Sequence, residues 1–256
     1  MIERPDAIVC DLDGVLYRGD VGIAGAGEAL AGLHGVGIEI VFVTNNSTKT
    51  PAEAAAKITR LTGFEAHEQD VVTSAQAAAH LLAADAPPTL LFGAAGARGP
   101  LEHESVPVVA DWQDARAVVA GLDLSLTYES LTRAVMAVER GARFVATNTD
   151  VTYPTPEGLW PGAGALVAAV EAATGVAPEV AGKPHAPMRS LLEERLAGRR
   201  VAVIGDRVET DIALGAAEGW TTILVLSGVT SSPDGADPKP DHVVASIAGV
   251  PELLGL

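Results

Sequence analysis

The chain predicts an α/β fold in which a parallel sheet carries helices on both faces and a second α/β unit occupies the middle of the sequence. Three observations point there. Near-continuous apolar runs recur along the chain, as strands buried on both faces require. They alternate with Ala- and Leu-rich stretches of helical length, the pattern of strand–helix–strand units. The composition, 48% hydrophobic but only 4% aromatic with 27 glycines in 256 residues, suits small side chains packing helices closely on a sheet. A chain of this length can bury one large core or two modest ones.

Taken in order, Ala7-Ile8-Val9-Cys10 reads as the first strand and empties into Asp11-Leu12-Asp13-Gly14. An Ala/Leu/Gly stretch from Gly25 to His34 suits a helix, and Ile38 to Val43 reads as the second strand. Thr50-Pro51-Ala52-Glu53 combines a cap candidate, Pro at the first helical position and an acid in the first turn, so a helix starts there. The middle, roughly Ala75 to Val180, offers strands at Thr89–Phe92, Val106–Val109, Ala117–Leu122 and Arg143–Thr147. Its helices run from Thr127, a cap, to Arg140, and from Ala163 to Ala173, closed by Gly175. Arg199 to Ile204 and Thr221 to Leu226 are further strands, joined by a helix from about Glu209 to Glu218. Pro233 to Pro240 reads as a surface loop before a short final strand at His242–Val244.

The formal net charge of −16 and the lack of a long basic tract exclude nucleic acid and anionic membranes as natural partners. The single cysteine, Cys10, has no partner for an internal disulfide and sits in an apolar run, the setting of a small core residue. No apolar run approaches the roughly 20 residues of a membrane helix, and the N-terminus carries no signal-peptide pattern. A cytoplasmic protein is the expectation.

Four segments carry chemistry, each at the end of a strand or in a loop, where open α/β sheets place ligands. Asp11 and Asp13 bring two like charges close together, which is costly unless a cation or a shared proton compensates; a hard ion such as Mg²⁺, which takes oxygen ligands, is the remedy. Thr44-Asn45-Asn46-Ser47 is a run of hydroxyl and amide groups feeding a helix N-terminus, a natural anion site or an ordinary polar turn. Lys183, between Gly182 and Pro184, has a rigid small-residue setting that fits either a placed ammonium or a surface lysine. Gly205-Asp206-Arg207-Val208-Glu209-Thr210-Asp211 repeats the strand-then-carboxylate arrangement, with Asp211 a turn beyond Asp206.

In that order the four segments resemble the motifs of the haloacid dehalogenase (HAD) superfamily of phosphotransferases. The likeness extends to its subfamily IIA phosphatases through Asp13-Gly14-Val15-Leu16-Tyr17, Val43-Thr44-Asn45-Asn46-Ser47, Ala146-Thr147-Asn148-Thr149-Asp150, Pro161-Gly162-Ala163-Gly164 and Gly182-Lys183-Pro184. It covers essentially the whole chain; Glu209 stands where the family commonly has Asp. The resemblance implies a Rossmann-like parallel-sheet core, residues 1–75 and 181–256, with an inserted α/β type-two cap, residues 76–180, that selects the substrate.

The resemblance also implies roles. Asp11 is the nucleophile, forming an aspartyl-phosphate, and Asp13 the acid that protonates the leaving alkoxide and then activates water. Mg²⁺ is held by the Asp11 carboxylate, the Asp13 backbone carbonyl and Asp206, with Asp211 orienting the site from behind. Thr44, Asn45 through its backbone, Asn46, Lys183 and Arg207 form the phosphate-binding set, Lys183 also neutralising the nucleophile. The implied reaction is hydrolysis of a small phosphate ester. Glycerol 3-phosphate or a sugar phosphate is favoured, because the middle region offers few aromatics to stack a nucleobase; a nucleotide, pyridoxal phosphate and p-nitrophenyl phosphate are further candidates. The pattern is compatible with a homodimer formed through the cap. Thr147 to Asp150 is the cap loop expected nearest to substrate, or a turn.

Two other readings use the same residues. A receiver-type signalling module also gathers aspartates, Thr and Lys around Mg²⁺, but it is about half this length and leaves the middle unit unexplained. A phosphomutase would return isomers in place of free phosphate. A dinucleotide site at Gly93-Ala94-Ala95-Gly96-Ala97-Arg98-Gly99 is set aside, because the spacing differs from G-x-G-x-x-G and Pro100 intrudes where the phosphate-binding helix would begin.

Overall fold

The structure is a computed structural model that describes residues 3–93, 95–155 and 157–256. It forms two compact units, one comprising Met1–Thr44, Pro51–Val72 and Leu192–Leu256, the other Asn45–Thr50 and Thr73–Leu191. The chain opens with β1 (Ala7–Cys10), a hairpin of β2 (Tyr17–Arg18) and β3 (Val21–Gly22), α1 (Ala26–Gly35), β4 (Glu39–Thr44), α2 (Pro51–Thr62) and β5 (Val71–Thr73). There follow α3 (Ser74–Ala83), β6 (Thr89–Phe92), α4 (Arg98–His103), β7 (Val108–Val109), β8 (Ala117–Ala120), α5 (Tyr128–Glu139) and β9 (Arg143–Ala146). A hairpin of β10 (Thr152–Thr155) and β11 (Gly158–Pro161) leads to α6 (Ala163–Thr174), β12 (Glu179–Val180) and α7 (Ala186–Leu196). The chain ends with β13 (Val201–Gly205), α8 (Ala213–Glu218), β14 (Thr221–Val225), β15 (His242–Val244) and α9 (Val250–Leu253).

The sheet of the first unit has the order β15-β14-β13-β1-β4-β5, with parallel pairing from β15 to β4. From β1 the chain moves to one side, to β4, and returns on the other at β13. Strand order therefore reverses at β1, and the crevice at the carboxyl ends of β1 and β13 is where such a sheet receives its ligand. Register pairs Cys10 with Ile204, so Asp11 and Asp206 both leave the sheet at that end. Alternate residues of the strands, Ile8, Cys10, Ile40, Phe42, Ala202, Ile204, Ile223 and Val225, join Leu30 and Leu33 of α1, Ile58 of α2 and Val250 of α9 in one buried core. Removing the fully buried Phe42 ring would cost about 3–5 kcal/mol. Cys10 is part of this core, as its setting in the sequence predicts.

The second unit has its own parallel sheet, β12-β9-β8-β6-β7, and its own core around Phe92, Val118, Phe144, Val167 and Val170. Thr127 caps α5 by accepting from the Ser130 amide, and Gly175 closes α6 at φ 70°, both as expected. Two expectations are corrected. The strand expected at Val106–Val109 is only Val108–Val109, because Val106 is drawn into the turn closing α4, where its amide donates a hydrogen bond to the Leu101 carbonyl. The helix expected from Glu209 starts with a π-helical turn, Val208–Ile212, before α8; such wider turns are common at functional sites. Gly96, in the loop set aside as a dinucleotide site, packs a would-be Cβ within 2.6–2.8 Å of the Lys49 and Ser47 carbonyls, a close-packing role; Ala94 of that loop lies outside the described residues.

Candidate active site

Each unit brings together part of the residue set expected from the sequence. In the first unit, Asp11 follows β1, Asp206 follows β13, and Asp211 lies in the π-helical turn. One carboxylate oxygen from each lies within 4.8 Å of the others. At an effective dielectric of about 20, each like-charge pair at that distance repels by roughly 3.5 kcal/mol. All three are at most 9% exposed, so water does little to relieve them. Amide donors to Asp206 and Asp211 offset part of that repulsion, a bound cation would offset more, and three hard oxygen donors suit Mg²⁺.

The surrounding backbone is shaped to hold these carboxylates. Gly14 sits at φ +87°, where a side chain would be strained, and a Cβ there would strike the Asp206 carboxylate. A Cβ on the neighbouring Gly228 would strike the same carboxylate. The Val229 amide donates to Asp206 Oδ2 at 2.6 Å, and the Thr230 amide donates to the Asp206 carbonyl. Ser227 Oγ donates to the Gly14 carbonyl at 2.7 Å, and Arg18 Nε of the β2–β3 hairpin donates to the Ser227 carbonyl at 2.6 Å. The loop after β14 is thereby tied to the turn after β1. Asp211 accepts from the Arg207 amide at 3.1 Å and presses on Gly205, where no side chain would fit.

Asp13 is outside the three-carboxylate group; its residue forms an isolated bridge with Tyr17 in the turn after β1. Arg207 is half-buried beside Asp206. Ser227, Gly228 and Val229 were not among the expected site residues. The signal was present, since they follow the apolar run Thr221–Leu226 and so stand, like the other motifs, at a strand end.

In the second unit, Asn45 and Lys183 come together. The Lys183 amide donates to Asn45 Oδ1 at 2.8 Å, and Asn45 Nδ2 donates to the Lys183 carbonyl at 3.3 Å. Ser74 Oγ and Asn148 Nδ2 donate to the Asn45 carbonyl at 2.6 and 2.7 Å. Ser47 and Thr147 hydroxyls meet at 3.0 Å. Lys183 is 4% exposed, which removes the surface-lysine alternative. Asn46 spends its side-chain oxygen on the Thr48 amide and hydroxyl, an Asx turn. Thr44, last residue of β4, is buried. His185 lies exposed in the turn before α7, and Trp160 is partly exposed on the β10–β11 hairpin.

Profiles described as haloacid dehalogenase-like hydrolase and HAD-hydrolase-like match residues 8–106 and 180–250. The chain is 38% identical over 242 residues to D-glycerol 3-phosphate phosphatase of Mycobacterium tuberculosis, covering 93% of this chain and 67% of that one. It is also 38% identical over 229 residues to the acid sugar phosphatase of Staphylococcus saprophyticus, covering 88% of each. The chain belongs to the HAD hydrolases, as a subfamily IIA phosphatase. A crystal structure of glycerol phosphate phosphatase from Mycobacterium tuberculosis in complex with magnesium superposes with a TM-score of 0.89 at 36% identity, over 95% of this chain and 75% of that one. This HAD enzyme is therefore a phosphoric monoester hydrolase for small phosphate esters, with Mg²⁺ as cofactor and the family's α/β architecture. Among the described residues no helix is long and apolar enough to cross a membrane.

Proposed function

We propose that this phosphatase hydrolyses glycerol 3-phosphate or a small sugar phosphate through a covalent aspartyl-phosphate on Asp11. The observation that carries the reading is the approach of the Asp11, Asp206 and Asp211 carboxylates at the strand ends. The substrates named for the two curated relatives support the choice of a small polyol or sugar ester. So does the use of Phe92 and Phe144 in the core of the middle unit, which leaves them unavailable to stack a base.

Asp11 attacks phosphorus, with the Asp11–Asp206 pair held for Mg²⁺ and Asp211 bracing the Arg207 turn. Bound Mg²⁺ supplies charge neutralisation on nucleophile and phosphoryl oxygens. Asp13, which leaves the metal carboxylates to the others, gives its proton to the departing alkoxide oxygen and takes one from the hydrolytic water. Its carbonyl is assigned to the metal. Thr44, the Asn45 backbone amide, Asn46, Lys183 and Arg207 take the phosphoryl oxygens. Positioning and charge neutralisation are most of what phosphoryl transfer requires.

Residues 1–75 and 181–256 are proposed as the catalytic core and 76–180 as a cap that selects the leaving group. A homodimer through the cap and a cytoplasmic location complete the reading; a single, buried cysteine, Cys10, is compatible with a reducing compartment.

A panel of a few dozen phosphate esters tests the substrate. The expected result is the highest kcat/KM on glycerol 3-phosphate or a sugar phosphate with stoichiometric release of inorganic phosphate; a nucleotide at the head of the ranking, or isomerised ester as product, overturns it. With p-nitrophenyl phosphate, whose leaving group needs little protonation, Asp13→Asn should burst and then stall. A phosphoryl adduct on Asp11 should then be detectable by mass spectrometry of the quenched protein.

A further inference from the structure

We propose that Asn45 is a positioning residue for Lys183, and that Asn148 holds Asn45 in that role. The inference rests on the reading of Lys183 as the group that neutralises phosphate. It gives the Asn45 side chain a task beside the phosphate contact expected of its backbone.

The two polar atoms of the Asn45 side chain are engaged by one residue, in opposite senses. Oδ1 accepts from the Lys183 amide at 2.8 Å and Nδ2 donates to the Lys183 carbonyl at 3.3 Å. Both peptide groups flanking the Lys183 Cα are thus pinned, which sets the direction in which its side chain leaves the backbone. Only a primary amide presents a donor and an acceptor side by side in this way; a carboxylate would accept twice and meet the Lys183 carbonyl with like charge.

Gly182 shows how closely the two segments meet. A Cβ on Gly182 would lie 2.5 Å from Asn45 Oδ1 and 2.5 Å from the Thr147 carbonyl. The glycine preceding the lysine is there for close approach.

Asn45 is in turn held from behind. Its carbonyl accepts from Ser74 Oγ at 2.6 Å and from Asn148 Nδ2 at 2.7 Å. Asn148 is oriented by accepting from the Asp150 amide at 3.0 Å. Asn45, Ser74, Thr147, Asn148 and Lys183 are each no more than 8% exposed. Buried polar groups are costly unless satisfied, so such a network tolerates few alternative arrangements. The Thr147–Asn148 loop thereby has a function that needs no contact with substrate: it locks the residue that locks the lysine.

The test is a double-mutant cycle in the full chain at saturating Mg²⁺. Asn45→Ala, Asn148→Ala, Lys183→Ala and the two pairings with Lys183→Ala are compared by kcat on p-nitrophenyl phosphate and by calorimetric affinity for orthovanadate. Calorimetry remains readable where turnover is lost. Asn45→Ala is expected to lose about 100-fold in kcat and Asn148→Ala about 10-fold, the scale of a misplaced catalytic group. In the Lys183→Ala background both penalties should shrink to within about twofold, in rate and in affinity. Penalties that multiply with that of Lys183→Ala overturn the proposal, because the asparagines then act independently of the lysine. Wild-type kcat and vanadate affinity in Lys183→Ala alone would instead refute the role of Lys183. If Asn45→Ala does not fold, the Asn148 arm decides by the same criterion.

Discussion

The carboxylate group of the first unit and the amide–lysine group of the second are built on opposite physical principles. Asp11, Asp206 and Asp211 are like charges forced within 4.8 Å, an arrangement that costs stability until a cation compensates it. Asn45, Asn148, Ser74 and the Lys183 backbone are neutral donors and acceptors that satisfy one another. One group stores a demand for a ligand, and the other is a finished scaffold with one charged arm. Glycine serves both, but at Gly14 and Gly228 it makes room for a charge, whereas at Gly182 it makes room for an amide.

Asp11 is where the two regions should differ most in response to substitution. Asp11→Asn removes the proposed nucleophile and should lower kcat by at least about a thousandfold. It also removes two of the three like-charge repulsions, so in chelator the variant should melt at or above the wild-type temperature. Its stabilisation on adding Mg²⁺ should be smaller. Melting curves with and without Mg²⁺ check both; a variant that melts well below wild type in chelator would mean the carboxylates are not under mutual strain.

Glycine variants sharpen the contrast at the next level. Gly228→Ala pushes on the Asp206 carboxylate, so the Mg²⁺ concentration for half-maximal activity should rise at least about tenfold, with part of kcat recovered at high Mg²⁺. Gly182→Ala pushes on Asn45 and the Thr147 carbonyl, so kcat should fall with no recovery at high Mg²⁺. Mg²⁺ titrations of the two variants that coincide would remove the distinction between the regions.

The smallest effect lies away from both groups. Burial raises the Glu39 carboxyl, but hydrogen bonds and charge from Arg195 and Arg199 outweigh it and hold its pKa below the ordinary glutamate value. A depressed carboxylate stabilises the fold above its unfolded pKa, and that contribution fades as pH falls through the folded value. Glu39→Gln should cost about 1 kcal/mol at neutral pH, because the pairs are only partly shielded from water. The gap to wild type should close below the ordinary glutamate range, with kcat unchanged throughout. Urea titrations at neutral and acid pH would show it.

Much of this was legible in the sequence because it depends on local order. Apolar runs marked β1, β4, β13 and β14, whose burial on both faces leaves no alternation to confuse, and Thr127, Pro51 and Gly175 marked helix ends through local capping chemistry. The short strands β2, β3, β5, β10, β11 and β12 were missed, since their pairing depends on partners and turns rather than on a long apolar run. The four motifs were legible because each sits where a strand ends.

By itself, then, the sequence determined the strand–helix alternation, the reactive residue types and their order, for these follow from periodicity and side-chain chemistry. Only the tertiary structure decided that Asp211 joins Asp11 and Asp206, that Gly228 and Val229 hold Asp206, and that Asn45 spends its side chain on Lys183. Such contacts join residues as far apart as Asn45 and Lys183, 138 positions, or Asp206 and Val229, 23 positions, and no local spacing encodes which of many equally suitable amides or carboxylates will meet when a sheet closes its register.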